Sequence, residues 1–171
     1  MNKIGALLFT LLITALEAKE IISLLKGIEN NHTLHMQYKQ QAFVCKPFGI
    51  ETVSELAERT DINSSCAKHL SSFRQAYPKE KFFAAYSLHV QQQYSVEGID
   101  NLCLLYLSSE HSYSEALLEQ GYARIPPGIN YKDPVLHYRF KRAVQRAKNA
   151  KAGIWSDTNV RNCFLTADQK R

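Results

Sequence analysis

Four cysteines constrain this chain more than any other feature: Cys45, Cys66, Cys103 and Cys163. Their separations of 21, 37 and 60 residues include no close pair, which a zinc site would need. An even number of cysteines behind an export signal favours two disulfides in an oxidising compartment. Four cysteines can pair in three ways, and the spacing does not choose among them. A chain of 171 residues has the length of a single domain, which two disulfides would stabilise.

The N-terminal segment has the layout of a secretory signal peptide. Lys3 precedes an apolar run over residues 4–16, and small residues follow at Ala15 and Ala18. The run is shorter than the roughly 20 residues that span a bilayer. We therefore expect a signal peptide at 1–18 and one domain at 19–171 with a short C-terminal tail. The expected location is the periplasm or the medium, with no transmembrane segment after cleavage; the alternative is an uncleaved N-terminal anchor.

Hydrophobic patterning predicts a mixed order of strands and helices. β-branched and aromatic residues mark strands within 21–48, at 82–90 and at 102–107. Apolar residues at helical spacing mark a helix at 64–76, which Pro78 would end, and another at 134–150. Ser112 and Glu115 form a capping-box pair that begins a short helix at 112–120, before Gly121. This order predicts an α+β fold with a small five-stranded barrel and three helices packed outside it.

Two segments resemble staphylococcal-nuclease-like (thermonuclease) domains. The sequence YSEALLEQGYAR at 113–124 is similar to the family's second-helix segment, and AKAGIWS at 150–156 is similar to the end of its last helix. The segments at 30–33 and 46–52 resemble its metal-binding and catalytic motifs more weakly. The resemblance covers about residues 20–157. It implies an OB-fold-like β-barrel, and it places Cys45 opposite Cys103 and Cys66 opposite Cys163 as two disulfides.

The family's metal-binding motif is altered in this chain. Members of the family cleave phosphodiesters with a calcium ion, a carboxylate base and two arginines. The resemblance puts His32 in place of a metal aspartate, and imidazole is a poor ligand for a hard cation. Glu51 replaces the second metal aspartate and keeps a carboxylate, and Thr52 is retained. His32 and His35 lie on opposite sides of a strand, so we expect no joint metal site.

The base and both arginines are also replaced. Ser54 falls at the position of the glutamate base and has no useful basicity near neutral pH. Lys46 falls at the first arginine and keeps its charge without the bidentate fork. The second arginine falls near Asn101, and no arginine lies between Tyr94 and Tyr113. Such combined losses cost several orders of magnitude in rate, which favours a non-catalytic domain without a cofactor.

Three functions remain in competition. The favoured one is an exported, nuclease-like part that binds periplasmic or envelope proteins, as in a flagellar motor or secretion apparatus. The alternative is a secreted calcium-dependent nuclease that uses Glu51, Lys46 and Glu55. The third is a nucleic-acid binder through the last helix, which the export signal disfavours.

The charge of +5 is concentrated in that last helix. Residues 132–151 contain seven Lys and Arg and one Asp, which leaves the rest nearly neutral. Such a face can contact phosphates or an acidic partner, or simply be solvated. The candidate basic surface comprises Arg139, Lys141, Arg142, Arg146 and Lys148.

Two sequons carry an acid two residues before the asparagine. They are ENNHT at 29–33 and DINSS at 61–65. This extended form resembles the acceptor of bacterial periplasmic N-glycosylation. We therefore expect glycans on Asn31 and Asn63.

Overall fold

The computed structural model describes residues 20–60, 64–99, 101–129 and 131–166. The predicted signal peptide at 1–18 and the sequon residue Asn63 lie outside the described residues. The strands are β1 (Ile21–Asn30), β2 (Thr33–Tyr38), β3 (Gln41–Cys45), β4 (Glu51–Thr52), β5 (Gln93–Ile99), β6 (Leu102–Ser108), β7 (His111–Ser112) and β8 (Ala123–Arg124). The α-helices are α1 (Val53–Arg59), α2 (Ser65–Ala76), α3 (Pro78–Ser87), α4 (Tyr113–Glu119), α5 (Pro134–Asn149) and α6 (Thr158–Thr166).

The α+β class is confirmed, but the strands form an open sheet and not a closed five-stranded barrel. Six antiparallel strands lie in the order β3-β2-β1-β5-β6-β7, and β4 pairs with β8 in a separate two-stranded sheet. The described helices also outnumber the three expected. The additional ones are α1, α3 and α6.

The end of β3 nevertheless returns to β6. The Phe48 N–H donates to the Cys103 carbonyl at 2.8 Å, and the Cys103 N–H donates to the Lys46 carbonyl at 2.8 Å. Cys45 is disulfide-bonded to Cys103, with 5.4 Å between their Cα atoms. A bridge of one residue pair therefore joins the two sides of the sheet where a barrel would have a continuous ladder.

The predicted helices at 64–76, 112–120 and 134–150 are confirmed as α2, α4 and α5. Ser64 caps α2 by accepting from the Ala67 N–H at 3.1 Å. In α4 the capping box forms as expected, since Ser112 accepts from the Glu115 N–H and the Glu115 carboxylate accepts from the Ser112 N–H at 2.8 Å. A second disulfide, Cys66–Cys163, joins α2 to α6. The structure thus has both pairings that the resemblance implies.

The predicted strand at 82–90 is wrong, because α3 occupies Pro78–Ser87. Pro78 does end α2, but it also starts α3 at a first-turn position where its missing N–H carries no cost. The residues that α3 buries, Glu80 and Ala84, are four apart, which is helical spacing. Because Glu80 is charged, the segment lacks apolar residues at helical spacing, and its aromatic residues favour a strand prediction instead.

The core lies between the large sheet and the helices, with α4 at its centre. Tyr113, Leu117 and Leu118 of α4 are completely buried. Gly121, two residues after α4, and Gly153, four residues after α5, meet backbone to backbone, and a Cβ on Gly153 would lie 2.3 Å from the Gly121 carbonyl oxygen. This close approach explains why both positions are glycine.

Candidate functional site

A polar pocket gathers half of the positions predicted from the nuclease motifs. It has a volume of about 420 Å³ and is lined by His32, Lys46, Ile50, Glu51, Glu55, Glu58, Arg59, Pro126 and Pro127. The β1–β2 turn contributes His32, the segment after β3 contributes Lys46, and β4 contributes Glu51. The helix α1 adds Glu55, Glu58 and Arg59. We call this the candidate pocket.

Two arginines hold the carboxylate of Glu51. Glu51 lies directly opposite Arg124 in the β4–β8 pair. The Arg124 Nε donates to Glu51 Oε2 at 2.7 Å, and its Nη2 lies 2.5 Å from the same oxygen. Arg59 forms an ion pair with the other oxygen, Oε1. Because both oxygens are engaged and the Glu51 side chain is 11% exposed, the carboxylate serves as an internal anchor.

Glu55 and Thr52 form a second capping box, at the start of α1. The Glu55 carboxylate accepts from the Thr52 N–H at 2.8 Å and from the Thr52 hydroxyl at 3.2 Å. The Thr52 hydroxyl accepts from the Glu55 N–H at 3.1 Å. The spacing T-x-x-E could have revealed this helix start in the sequence. Glu55 therefore has a structural use that competes with a role as a general base.

His32 lies between Thr52 and Glu58. Its Nδ1 is 3.4 Å from the Thr52 hydroxyl, and its Nε2 is 3.5 Å from a Glu58 carboxylate oxygen. The ring is almost buried, whereas His35 is half exposed and contacts Glu29 at 3.4 Å. The two histidines thus have different surroundings. Among the described residues, no three or more His, Cys, Asp or Glu side chains are placed to hold a metal ion.

Ser54 and Asn101 do not line the candidate pocket. The Ser54 hydroxyl is buried and donates to Glu80 Oε1 at 3.1 Å. Glu80 is completely buried, and its other oxygen lies 3.4 Å from the Nε of Arg74. Burial raises the pKa of Glu80, opposed by Arg74 and by the Ser54 hydrogen bond. Asn101 is an exposed turn residue between β5 and β6 with a φ of 68°.

Asn31, where a glycan is predicted, is a buried structural amide, and this placement argues against the glycan. It is 0% exposed. Its Nδ2 donates to the Glu80 carbonyl, and its Oδ1 accepts from the Ala84 N–H at 2.9 Å. Glu80 and Ala84 are four residues apart on α3, so the amide spans one helical turn. A glycan on Nδ2 would have to displace α3 from this contact.

The candidate basic surface on α5 is partly paired with α4. Arg139 donates to Glu115 at 2.9 Å and 2.5 Å, and Arg146 forms an ion pair with Glu119. Burial alone would raise the pKa of Glu115, but hydrogen bonds from Arg139 and Ser112 lower it. Lys141, Arg142 and Lys148 are exposed, and Lys148 lies over the Trp155 ring at 4.7 Å. Two of the five basic residues thus clamp α5 to α4.

Neither of the arginines that hold Glu51 was predicted from the sequence. Arg124 comes from β8, 73 residues further along the chain, and Arg59 comes from the end of α1. Neither lies near a position where the resemblance places an arginine. The pairing of β4 with β8 places Arg124 beside Glu51.

No family model matches the chain, and no curated protein matches it at a significant level. Among the described residues, no helix is long and apolar enough to cross a membrane.

Proposed function

We propose that this chain is an exported, non-catalytic nuclease-like domain that acts by binding other envelope proteins. On this proposal it is an accessory part of an envelope assembly, of which a flagellar motor or a secretion apparatus is an example. The two disulfides are compatible with an oxidising compartment such as the periplasm. The strand order β3-β2-β1-β5-β6 and the return of β3 to β6 support an OB-fold-like ancestry.

The observation that carries the proposal is the double arginine clamp on Glu51. A calcium ion takes six to eight oxygen ligands, preferably carboxylates that are open to it. Here Glu51 binds Arg59 and Arg124, and Glu55 caps α1. A cation would have to displace the arginines before it could bind Glu51. Glu51 and Glu55 thus fit a stabilising role better than a catalytic one.

One observation favours the alternative, a calcium-dependent nuclease with an altered active site. Glu51, Lys46 and Glu55 do line one pocket, and Arg59 adds a guanidinium to it. Lys46 is exposed at this site. If calcium released Glu51 from its arginines, Arg59 and Lys46 could hold a phosphate.

A digestion assay with and without calcium separates the two functions. We expect no calcium-dependent cleavage of DNA or RNA by the purified, oxidised protein. In parallel, cross-linking and pull-down from the envelope fraction should capture a reproducible set of proteins. Robust cleavage that Glu51→Gln abolishes would refute the non-catalytic function, and a failure to capture any partner would refute the binding function.

A further inference from the structure

An exposed apolar ridge runs along the outer side of α3. It consists of Phe82, Tyr86 and Val90, which are 50%, 68% and 47% exposed. Phe82 and Tyr86 are one helical turn apart, and Val90 follows in the turn after the helix. Contiguous exposed apolar residues on a soluble domain mark interaction sites.

The inner side of α3 is held in a fixed orientation. Asn31 bonds the Glu80 carbonyl and the Ala84 N–H from below. The Phe83 ring stacks on Tyr113 with 6.0 Å between centroids and meets the edge of Tyr122 at 5.6 Å. Because these contacts fix the side of α3 that faces the core, the opposite side, which carries the ridge, faces outward.

Exposed lysines lie beside the ridge on α3. Residues 64–92 contain four Lys and Arg and one acid, Glu80, which is completely buried. Lys68, Lys79 and Lys81 are exposed. The Lys81 ammonium lies 5.4 Å from the centre of the Phe82 ring, so cation and ridge are adjacent.

A groove lies beside α3 and shares its basic side chains. Its volume is about 590 Å³, and α1, α2 and α3 all contribute to its lining. Ala57 and Ala67 supply apolar surface, Lys81 and Arg74 supply positive charge, and Glu58 on the α1 side adds one exposed carboxylate. A groove can hold a segment of polypeptide, whereas a flat bilayer would touch only the ridge.

We infer that the ridge and the groove bind an acidic protein segment with apolar anchor residues. Aromatic side chains and arginines supply most of the energy at protein interfaces, and opposite charges select the partner. The exposed Lys79 and Lys81 beside Phe82 make a partner rich in Asp and Glu complementary to the ridge. This inference deepens the proposed function, on which it rests, by assigning the chemistry of the partner.

A random linear-peptide library displayed on phage provides the test. Selection against the oxidised wild-type protein should enrich sequences with Asp or Glu beside Leu, Phe or Trp. Phe82→Ser/Tyr86→Ser should weaken binding of the selected peptides on the order of tenfold or more. Lys79→Glu/Lys81→Glu, which leaves the ridge intact, should weaken it as well. Unchanged thermal unfolding of both variants would show that they are folded.

Val135→Ser/Tyr138→Ser is the matched control, because these α5 residues are 63% and 60% exposed. It should leave binding unchanged. Enrichment of basic peptides, or equal binding by the α3 variants, would overturn the inference. So would binding to anionic vesicles or self-association that Phe82→Ser/Tyr86→Ser abolishes. If the pull-down instead captures partners that these variants still bind, the proposed function stands and this inference fails.

Discussion

The candidate pocket and the ridge on α3 use their side chains in opposite ways. In the pocket, Glu51, Glu55 and His32 all have partners within the protein. On the outer side of α3, apolar and cationic side chains are exposed, and the acid of α3 itself, Glu80, is buried. These three side chains of the candidate pocket are thus engaged within the protein, while the ridge, which has no catalytic resemblance, presents side chains that a partner can contact.

The largest expected effect concerns the arginine clamp. Glu51→Ala removes the carboxylate that pairs with Arg124, whose side chain is almost buried. We therefore expect a loss of about 3–5 kcal/mol in the free energy of unfolding. Denaturant unfolding measures it. Glu58→Ala is the control, because the Glu58 side chain is 61% exposed and its loss should cost about 1 kcal/mol or less. An equal loss of unfolding free energy in the two variants would show that the buried pair contributes no more to stability than the exposed carboxylate.

Asn31→Ala tests the anchor beneath the ridge. It leaves the Glu80 carbonyl and the Ala84 N–H without the amide that bonds both. We expect a loss of about 2–4 kcal/mol, because two buried hydrogen bonds worth about 0.5–1.5 kcal/mol each are lost and the truncated side chain leaves a cavity beside α3. Thr33→Ala removes the sequon but keeps the amide, so it should unfold like the wild type. An intact mass that includes a glycan on Asn31 would contradict this account.

Arg139→Ala tests whether the basic helix is clamped to α4. The Glu115 side chain is 4% exposed and would lose its charged partner, which costs about 1.5–3 kcal/mol. Because the pKa of Glu115 is lowered in the folded state, the stabilisation from its pairing with Arg139 is present above the unfolded-state pKa. It is lost as the pH falls through the folded-state pKa. Arg142→Ala, at an exposed position, should change stability by about 0.5 kcal/mol or less. An equal loss for both variants would show that the clamp has no special role.

Glu80→Gln has the smallest expected effect, and it depends on pH. Burial raises the pKa of Glu80 in the folded state above its ordinary value of 4.5, which is close to that of the unfolded state. The contribution of Glu80 to the free energy of unfolding is therefore fully present below the unfolded-state pKa and is lost as the pH rises through the folded-state pKa. The neutral variant should therefore gain stability relative to the wild type as the pH rises from about 4.5 to neutrality. Unfolding curves across this range measure the difference. Parallel pH profiles of the two proteins would contradict it.

Local signals in the sequence predicted a large part of the fold. The capping box of Ser112 and Glu115 and the apolar stripe of α5 specify helices through contacts within one or two turns, which a sequence displays directly. The first three strands follow from their residue types. The disulfide pairing came from the resemblance, since spacing alone leaves it open.

Apart from the disulfides, contacts between distant segments could not be predicted. Arg124, one of the two partners of Glu51, is 73 residues away from it, and the groups that bond Asn31 are 49 and 53 residues away. A sequon pattern says nothing of burial, so Asn31 was expected on the surface. In α3, contacts with Asn31 and Ser54 bury Glu80 on the side that faces the core. Because a buried position of the helix is polar, the sequence lacks the apolar residues at helical spacing that would have predicted α3.

The most direct test combines activity and stability for one variant, Glu51→Gln. Cleavage of DNA and RNA is measured over a calcium titration, and thermal unfolding is measured on the same samples. The account predicts no calcium-dependent cleavage by the wild type and a lower unfolding temperature for the variant. Calcium-dependent cleavage by the wild type that the variant loses, with an unchanged unfolding temperature, would show that Glu51 is catalytic and contradict the account.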